Sequence, residues 1–293
     1  MDKINANKNL THCWQYQKRL DLLESDCLAD NLTQHDISLL RTRDFTFQPL
    51  NYKDKGIKAT VNEFIFKYEW LEKMPQRTTH VFGAFYKEIL VGVIAMATPN
   101  AFSKMLGDNT KDVEKLIARG ATKSWTPKNT GSWLIMKSIN WMRSNTQFRL
   151  FSAYADTEAK ELGTIYQACN FHYVGKTSGG TMQLFDQDYP DKGWFSDREI
   201  RKPSTQRRLL KECGVKVEKS WLVDGKFKAL LCPLDVQDLL KQKQKEYGLK
   251  CLKRLTPKKH KYVYILGATK HETKRLLTIF KDNNKTFNYP KER

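Results

Sequence analysis

Apolar residues recur along this chain with two different periods, and the alternation between them predicts the order of helices and strands. Residues 12–43 repeat apolar and charged positions at helical spacing, which predicts one or two amphipathic helices. Residues 45–51 have the character of a strand, and a helix rich in aromatic residues is predicted over 62–71. Two further strands are predicted at 80–86 and 89–98, arranged as a hairpin.

The following part of the chain alternates strand and helix patterns more regularly. The predictions are a strand over 113–124, a helix from Ser132, a strand over 148–156, a helix over 158–169, and the strands FHYVG and TMQLFD. Strands that alternate with helices at this spacing predict an α/β fold with a mixed sheet. The order strand, helix, three strands, helix, strand, helix, strand is the one used by the GNAT acyltransferases. We therefore expect a GNAT-like mixed sheet flanked by helices.

Three regions are expected along the chain. Residues 1–44 form a helical extension, 45–188 the GNAT-like catalytic domain, and 189–293 a basic α/β C-terminal region. Residues 1–188 contain 24 Lys/Arg and 20 Asp/Glu, whereas the last region contains 27 and 12. Such an excess concentrates polyanions, and each Lys or Arg that meets a phosphate releases counterions. Double-stranded DNA is therefore the expected partner, and a merely soluble basic surface is the alternative.

Two predicted helices of the basic region carry most of the candidate phosphate contacts. The helix at 204–213 is the first choice, and a Lys-rich helix at 235–247 is the second. An ordinary solvated face explains either helix nearly as well. The residues predicted to bind DNA are Arg207, Arg208, Lys211, Lys258 and Lys259, with Lys241, Lys243 and Lys245 in second place.

The sequence also argues against several classes of protein. No run approaches the roughly 18 to 20 apolar residues of a membrane span, and the N-terminal MDKINANKNLTH has no signal-peptide core. We therefore expect a cytoplasmic protein that does not act on a membrane. No two of the six cysteines form a CxxC pair, and none stands beside a histidine cluster. Reduced thiols are thus expected, and not a zinc ribbon or a disulfide framework.

A loop between a predicted strand and helix is the candidate binding site for a CoA donor. In a GNAT sheet, two neighbouring parallel strands splay apart, acyl-CoA lies between them, and the next helix points its N-terminal amides at the pyrophosphate. Here the strand 113–124 leads through PKNTGS into a helix. Lys128 supplies charge, while Asn129, Thr130 and Gly131 supply a cap and room for close backbone approach. The loop does not have the GNAT signature Q/R-x-x-G-x-G/A.

The strand 148–156 and the helix after it offer an acid–base pair. Asp156 ends the strand, where a carboxylate can accept a proton or hold an amine nucleophile. Tyr166 lies four residues after Leu162, so in a helix its hydroxyl can point into the cleft and protonate a departing CoA thiolate. Two plainer interpretations stay open. Asp156 can cap the helix over 158–169, and Tyr166 can be a packing residue.

Long segments of the chain resemble the phage Mom family of DNA-modification proteins. They are LIARGATKSWTPKNTGSWLI, YADTEAKELGTIYQACNFHYVG, PKKHKYVYILG and the terminal YPKER, so that the resemblance covers about residues 45–293. It implies a divergent GNAT-like fold that lacks the standard CoA loop. It also implies an anti-restriction enzyme of the host cytoplasm, which modifies the N6 amine of adenine in duplex DNA. Acetyl-CoA would be the donor, and an iron ion is implicated.

The resemblance further implies four active-site positions. They are Arg119, Ser132, Asp156 and Tyr166. Asp156 would hold or deprotonate the adenine amine, Tyr166 would act on the thiol side, and Arg119 would contact the donor or a phosphate. The family also has a histidine beside an aromatic residue just before the hairpin. This sequence has Tyr68-Glu69-Trp70 there, which leaves the identity of any metal site unknown.

Chemistry on adenine N6 can require extrusion of the base from the duplex into a pocket. Aromatic side chains could form the walls of such a pocket by stacking on the base. The candidates are Trp70, Trp125, Trp133 and Phe102, most of which are expected to be core residues instead.

Three functions are compatible with these observations. The first is a phage-type DNA-modifying transferase with an acyl-CoA-type donor. The second is a GNAT N-acyltransferase whose acceptor is an amine of a protein or of an already hypermodified base. The third is a nonenzymatic DNA-binding protein on a GNAT scaffold.

Overall fold

The hydrophobic periods fold as helices and strands in nearly the order that the sequence predicts. The computed structural model of the protein describes residues 13–99, 104–107 and 110–291. Its helices are α1 (Trp14–Ala29), α2 (Gln34–Leu39), α3 (Lys55–Tyr68), α4 (Thr130–Asn145), α5 (Thr164–Ala168), α6 (Pro203–Glu212), α7 (Leu234–Lys250) and α8 (Lys270–Asn283). Its strands are β1 (Thr46–Leu50), β2 (Thr78–Tyr86), β3 (Ile89–Ala97), β4 (Glu114–Thr122), β5 (Leu150–Ala155), β6 (His172–Lys176), β7 (Met182–Phe185), β8 (Phe195–Ser196), β9 (Leu222–Val223), β10 (Lys226–Phe227), β11 (Leu252–Leu255) and β12 (His260–Ile265).

Seven strands form one large sheet in the order β1-β2-β3-β4-β5-β12-β6. All neighbouring strands in it are antiparallel except β4 and β5, which are parallel. The pairing of these two strands ends at Ile117 and Ala153, although β4 continues to Thr122 and β5 to Ala155. One parallel pair that separates in the middle of a mixed sheet is the arrangement expected of a GNAT-like fold. The predicted fold class is therefore confirmed.

Helices cover both faces of this sheet. On one face, Leu134 and Ile139 of α4 share a hydrophobic core with Met96 of β3. On the other face, Ile65 of α3 shares a second core with Val93 of β3. Because β3 is buried on both faces, its sequence is an uninterrupted apolar run and not an alternating one.

Helix α1 holds the loop that precedes α4. The Arg19 guanidinium donates to two carbonyl oxygens of this loop, at 2.8 and 2.6 Å. Asp30 accepts hydrogen bonds from the ammonium of Lys123 and the indole nitrogen of Trp125, both at 2.6 Å. Asp26 is fully buried and accepts hydrogen bonds from both α3 and the loop. The predicted helical extension thus fixes the backbone just before the candidate donor site.

Residues 179–257 form a second compact unit. It contains a three-stranded sheet in the order β11-β7-β8 and the hairpin of β9 and β10, together with α6 and α7. Its core includes the buried residues Leu209, Leu210, Trp221, Phe227 and Tyr247.

The division of the chain differs from the expected boundary at residue 189. Strand β7 belongs to the second unit, whereas β12 pairs with both β5 and β6 in the large sheet. The buried side chains of Tyr262 and Val263 explain why β12 returns to the larger core. The excess of positive charge in the C-terminal region is therefore divided between the two units. Residues 179–257 contain 17 Lys/Arg and 11 Asp/Glu, and residues 258–293 contain 10 Lys/Arg and 3 Asp/Glu. Within the described ranges, no helix has the length and apolar character to cross a membrane.

Candidate functional site

The separation of β4 and β5 brings together charged side chains from distant parts of the sequence. Arg119 lies on β4, Asp156 directly follows β5, Tyr166 lies on α5, and Glu69 follows α3. Burial lowers the pKa of Arg119, while the nearby charges of Glu69 and Asp156 act to raise it. Arg119 and Asp156 are thus close enough for their charges to interact, and the carboxylate of Glu69 influences both Arg119 and Tyr166.

The fourth predicted residue, Ser132, lies in the first turn of α4. Its hydroxyl donates to the carbonyl oxygen of Asn129 at 3.0 Å. Its own carbonyl oxygen lies 3.6 Å from the sulfur of Cys169, the residue that ends α5. Ser132 thus stands at the contact between α4 and α5, on the predicted donor side.

Arg119 is anchored by backbone and carboxylate groups. Its Nε donates to the carbonyl oxygen of Lys73 at 2.8 Å and lies 3.6 Å from the carboxylate of Glu69. The same carboxylate accepts the backbone N–H of Leu71 at 2.6 Å. The guanidinium is therefore held at a fixed place between β4 and the end of α3.

Asp156 caps a short turn and forms an ion pair. Its Oδ1 accepts the backbone N–H of Glu158 at 3.0 Å, which caps the short 3-10 turn Thr157–Ala159. Its Oδ2 accepts a hydrogen bond from the Lys259 ammonium at 2.6 Å. Lys259, a predicted DNA contact, is thus the ion-pair partner of Asp156 in this structure. A buried carboxylate with a cation beside it is chemically suited to hold an amine.

The predicted helix over 158–169 is wrong in its first half. The backbone adopts left-handed conformations at Lys160 (φ 51°) and Gly163 (φ 71°), so that α5 begins only at Thr164. Tyr262 of β12 causes the break, because its hydroxyl bonds the carbonyl oxygen of Leu162 and its ring lies against Gly163. A Cβ atom at Gly163 would lie 2.4 Å from that ring, so only glycine fits there.

The break places Glu161 beside Asp156, which the sequence analysis missed. The carboxylate of Glu161 accepts the backbone N–H of Asp156 at 3.2 Å. Burial is the main reason that the pKa of Glu161 rises to about 7, with the charges of Asp156 and Glu69 adding to the effect. A glycine inside a helical pattern was the available signal for the break. A carboxyl group that titrates near neutral pH is suited to exchange protons with a substrate.

The ring of Tyr166 packs against other aromatic rings, and its hydroxyl lies within the influence of nearby carboxylates. Its ring lies 5.3 Å from that of Phe171 and 5.5 Å from that of Tyr262. Burial raises the pKa of its hydroxyl well above the usual value, and the charges of Glu161 and Glu69 raise it further. The hydroxyl therefore keeps its proton at neutral pH.

The amino end of α4 has the features of a phosphate site. Asn129 occupies the N-cap position, but its side chain makes no capping hydrogen bond. The hydroxyl of Thr130 is the buried side-chain group without a hydrogen-bond partner among the described residues. Lys128 is exposed beside them. Amides of a first turn and an unpaired hydroxyl fit a bound pyrophosphate, so these residues fit a CoA donor.

The lack of a side chain at Gly131 permits packing between helices, and not the close approach of a ligand that the sequence predicts. A Cβ atom there would lie 2.8 Å from the side chain of Ile165. The missing side chain thus permits close packing of α4 against α5, and the expected room for a ligand is occupied by Ile165.

The tryptophans expected as pocket walls are mostly enclosed by protein. Trp70 and Trp125 are buried, and Trp133 packs against the main core. Trp70 stacks edge-on with Trp14 at 5.5 Å, and Trp125 is hydrogen-bonded to α1. Phe102 lies outside the described residues.

The described residues do not fit an iron site. Within residues 13–99, 104–107 and 110–291, no group of three or more His, Cys, Asp or Glu side chains is arranged to hold a metal ion. Glu69 lies against the Arg119 guanidinium, at 3.6 Å. His80 stacks half-buried on Phe82 inside β2.

The predicted DNA contacts differ in how free their charges are. Arg207 and Lys211 are exposed on α6, and Lys258 is exposed before β12. Arg208, another predicted DNA contact, already has partners, because its guanidinium lies over the ring of Tyr247 at 4.7 Å and pairs with Glu212 at 2.8 Å.

Solved acetyltransferase structures align with most of this chain, but with low TM-scores and low sequence identity. An N-acetyltransferase from Staphylococcus aureus has a TM-score of 0.35 at 11% identity, covering 75% of this chain and 97% of that one. Arabidopsis thaliana NAA60 in complex with a bisubstrate analogue has a TM-score of 0.38 at 10% identity, covering 77% and 99%. A Bacillus subtilis acetyltransferase in complex with CoA has a TM-score of 0.34 at 9% identity, covering 76% and 99%. Likeness at these TM-scores supports no conclusion about ligand or activity.

Sequence comparison is more specific. None of the curated proteins matches this chain. The sequence model of the Mom protein family matches residues 55–220, a shorter range than the expected 45–293. The match spans more than half of the chain and includes Arg119, Asp156 and Tyr166 together with the parallel strands that place them. The chain therefore belongs to the Mom protein family.

Proposed function

We propose that this chain is a DNA-modifying transferase, which moves an acyl-type group from a CoA thioester to a base amine of DNA, the N6 amine of adenine. One observation carries the proposal. Arg119 on β4 and Asp156 after β5 lie beyond the point where these strands stop pairing, and their charges interact, within the range that matches the Mom family. The gap between diverging strands offers a place for a thioester next to a carboxylate and a hydroxyl.

The donor is held at the amino end of α4. The first-turn amides, the unpaired hydroxyl of Thr130 and the ammonium of Lys128 bind its phosphates. Arg19 keeps this loop in place through its two carbonyl contacts. When bound, acetyl-CoA supplies an activated carbonyl carbon and a thiolate leaving group.

The acceptor amine is held by Asp156. Its carboxylate accepts an N–H hydrogen bond of the amine, and Lys259 balances the negative charge. Tyr166 keeps a proton on its hydroxyl at neutral pH, where a thiolate product needs one. The Arg119 guanidinium supplies positive charge beside them. These residues orient the amine and manage its protons.

Duplex DNA is bound through basic side chains that are exposed. Arg207 and Lys211 of α6 and Lys258 before β12 contact phosphates, and the contacts weaken as salt concentration rises. Such contacts position the duplex but carry no sequence information.

The proposal is tested by transfer of a label with purified full-length protein. Duplex DNA and acetyl-CoA labelled with ¹⁴C in the acetyl group are incubated with the protein, and DNA and protein fractions are counted separately. Label in DNA that depends on Asp156 supports the proposal. Label confined to a protein or small-amine acceptor favours the second function, an N-acyltransferase with another acceptor. Salt-sensitive DNA binding without transfer to any acceptor favours the third, a nonenzymatic binding protein.

A further inference from the structure

A pocket lies along the turn that follows Asp156, away from the donor loop. It has a volume of about 440 Å³ and lies between the segment 157–162, the end of β6, the start of β12 and the C-terminal segment near residue 290. Its volume is within the range of small-molecule sites in proteins. No residue of the donor loop lines it, so the pocket is separate from the N-terminus of α4.

The lining of this pocket includes two ring side chains and a carboxyl group. The hydroxyl of Tyr173 lies 2.8 Å from the Nδ1 atom of His260, and both side chains are buried. Glu161 lines the pocket, and its carboxylate is fixed by the backbone N–H of Asp156. A planar heterocycle with an exocyclic amine matches this combination of a ring pair and a carboxyl group.

The rim of the pocket is basic. Lys160, Lys176 and Lys291 line it from three different segments of the chain. Lys176 and Lys291 are exposed, and Lys160 is held in a left-handed conformation at the turn. Ammonium groups beside ring side chains suit a ligand that carries a phosphate next to a ring.

We propose that this acceptor pocket holds a single nucleotide extruded from DNA, and that Glu161 accepts the proton that the base amine loses. The inference rests on the proposed function and deepens it. The amine nitrogen forms a bond to the thioester carbonyl carbon, the carbon–sulfur bond breaks, and the sulfur keeps the electron pair. The amine proton moves to the carboxylate of Glu161. Asp156 orients the amine, and the lysines bind the phosphates that flank the extruded nucleotide.

The pocket itself is tested by measuring the binding of deoxyadenosine monophosphate to the full-length protein with ligand-observed NMR. We expect the wild type to bind it, and Lys176→Glu and Lys291→Glu each to weaken binding by about tenfold. Lys137→Glu is the matched control, because Lys137 is exposed on α4 and does not line the pocket. Absence of binding, or equal binding by all variants, would overturn the pocket assignment.

The role of Glu161 is tested with Glu161→Gln in cells whose DNA nucleosides are analysed by mass spectrometry. The amide oxygen of glutamine can still accept the Asp156 N–H, so folding and nucleotide binding should be retained. We expect the modified nucleoside to fall by about a hundredfold or more, as for loss of a general base. An undiminished yield would overturn the role of Glu161 and leave the proposed function intact. A modified nucleoside missing from wild-type cells would overturn the proposed function and with it the proton transfer, whereas nucleotide binding would still decide the pocket.

Discussion

Glu161 is a carboxylic acid whose surroundings disfavour its charge. Its pKa rises to about 7 from a usual value of 4.5, chiefly through burial. The folded protein therefore binds this proton up to about pH 7, whereas the unfolded chain releases it near pH 4.5. Stability from this group is present below pH 4.5 and is lost as the pH rises through 7.

The Glu161→Gln variant should therefore show a stability difference that depends on pH. Below pH 4.5 its free energy of unfolding should match that of the wild type, because the carboxyl group is neutral in both states. Above pH 7 the variant should be more stable by up to about 2 to 3 kcal/mol, because no charge has to be buried. Urea unfolding across this pH range measures the difference. A constant difference at every pH would contradict the burial of Glu161.

Tyr166 offers a test that separates chemistry from packing. Tyr166→Phe keeps the ring contacts with Phe171 and Tyr262 but removes the hydroxyl. We expect the thermal midpoint to change little and transfer to fall by about a hundredfold, as for loss of a general acid. Tyr264→Phe is the matched control, since its ring also packs on Phe171 at 5.1 Å. Full transfer activity in Tyr166→Phe would assign Tyr166 to packing alone.

The helix break before α5 is the element that creates the candidate site. Its sequence has helical spacing, and the prediction of one helix over 158–169 followed from that pattern alone. Tyr262, about a hundred residues away along the chain, overrides the local preference by packing against Gly163. Periodicity depends only on residues that are close in sequence. It therefore indicated Asp156 and Tyr166, but it could not predict that Glu161 lies beside Asp156.

Gly163→Ala tests this explanation at the level of the element. The new Cβ atom would meet Tyr262 at 2.4 Å and would adopt a φ of +71°, so two costs add. Gly214→Ala is the control, since its φ is +75° but nothing lies within 4 Å of the new atom. We expect Gly214→Ala to lose about 1 kcal/mol and Gly163→Ala clearly more, by about 2 kcal/mol or above. Equal losses in chemical unfolding would show that Tyr262 does not enforce the break.

The central elements were predictable because their signals are local. The apolar run of β3, the strand ending at Asp156 and the helix after Gly131 all lie close to their predicted places. The family resemblance supplied Arg119, whose partner Glu69 is remote in sequence. Long-range pairing, and not local propensity, decides which of these side chains meet.

At the scale of the whole molecule, the basic C-terminal region is not one piece. Strand β12 and helix α8 belong to the same unit as the large sheet, while residues 179–257 form a separate unit inserted in sequence between β6 and β12. Composition located the positive charge correctly but could not show this division, because a strand that returns after a long insertion leaves no local pattern.

The salt dependence of DNA binding tests these contacts. Arg207→Glu and Lys211→Glu alter exposed side chains of α6. Each should weaken duplex binding regardless of DNA sequence. The slope of the logarithm of the binding constant against the logarithm of salt concentration should fall in magnitude by about one for each lost phosphate contact. Fluorescence anisotropy at several salt concentrations measures both quantities. Arg208→Gln is expected to act on stability, since Arg208 packs on Tyr247. An unchanged slope in both α6 variants would place the duplex elsewhere.

The central claim is that one site, built around Asp156, modifies a base of DNA. Its most direct test is mass spectrometry of nucleosides from the DNA of cells that make the wild type, Asp156→Asn or the control Asp282→Asn, in which an exposed carboxylate of α8 is changed. We predict an adenosine-derived nucleoside of new mass with the wild type and the control, and its loss with Asp156→Asn. The same nucleosides in all three samples, with soluble and folded protein in each, would contradict the account.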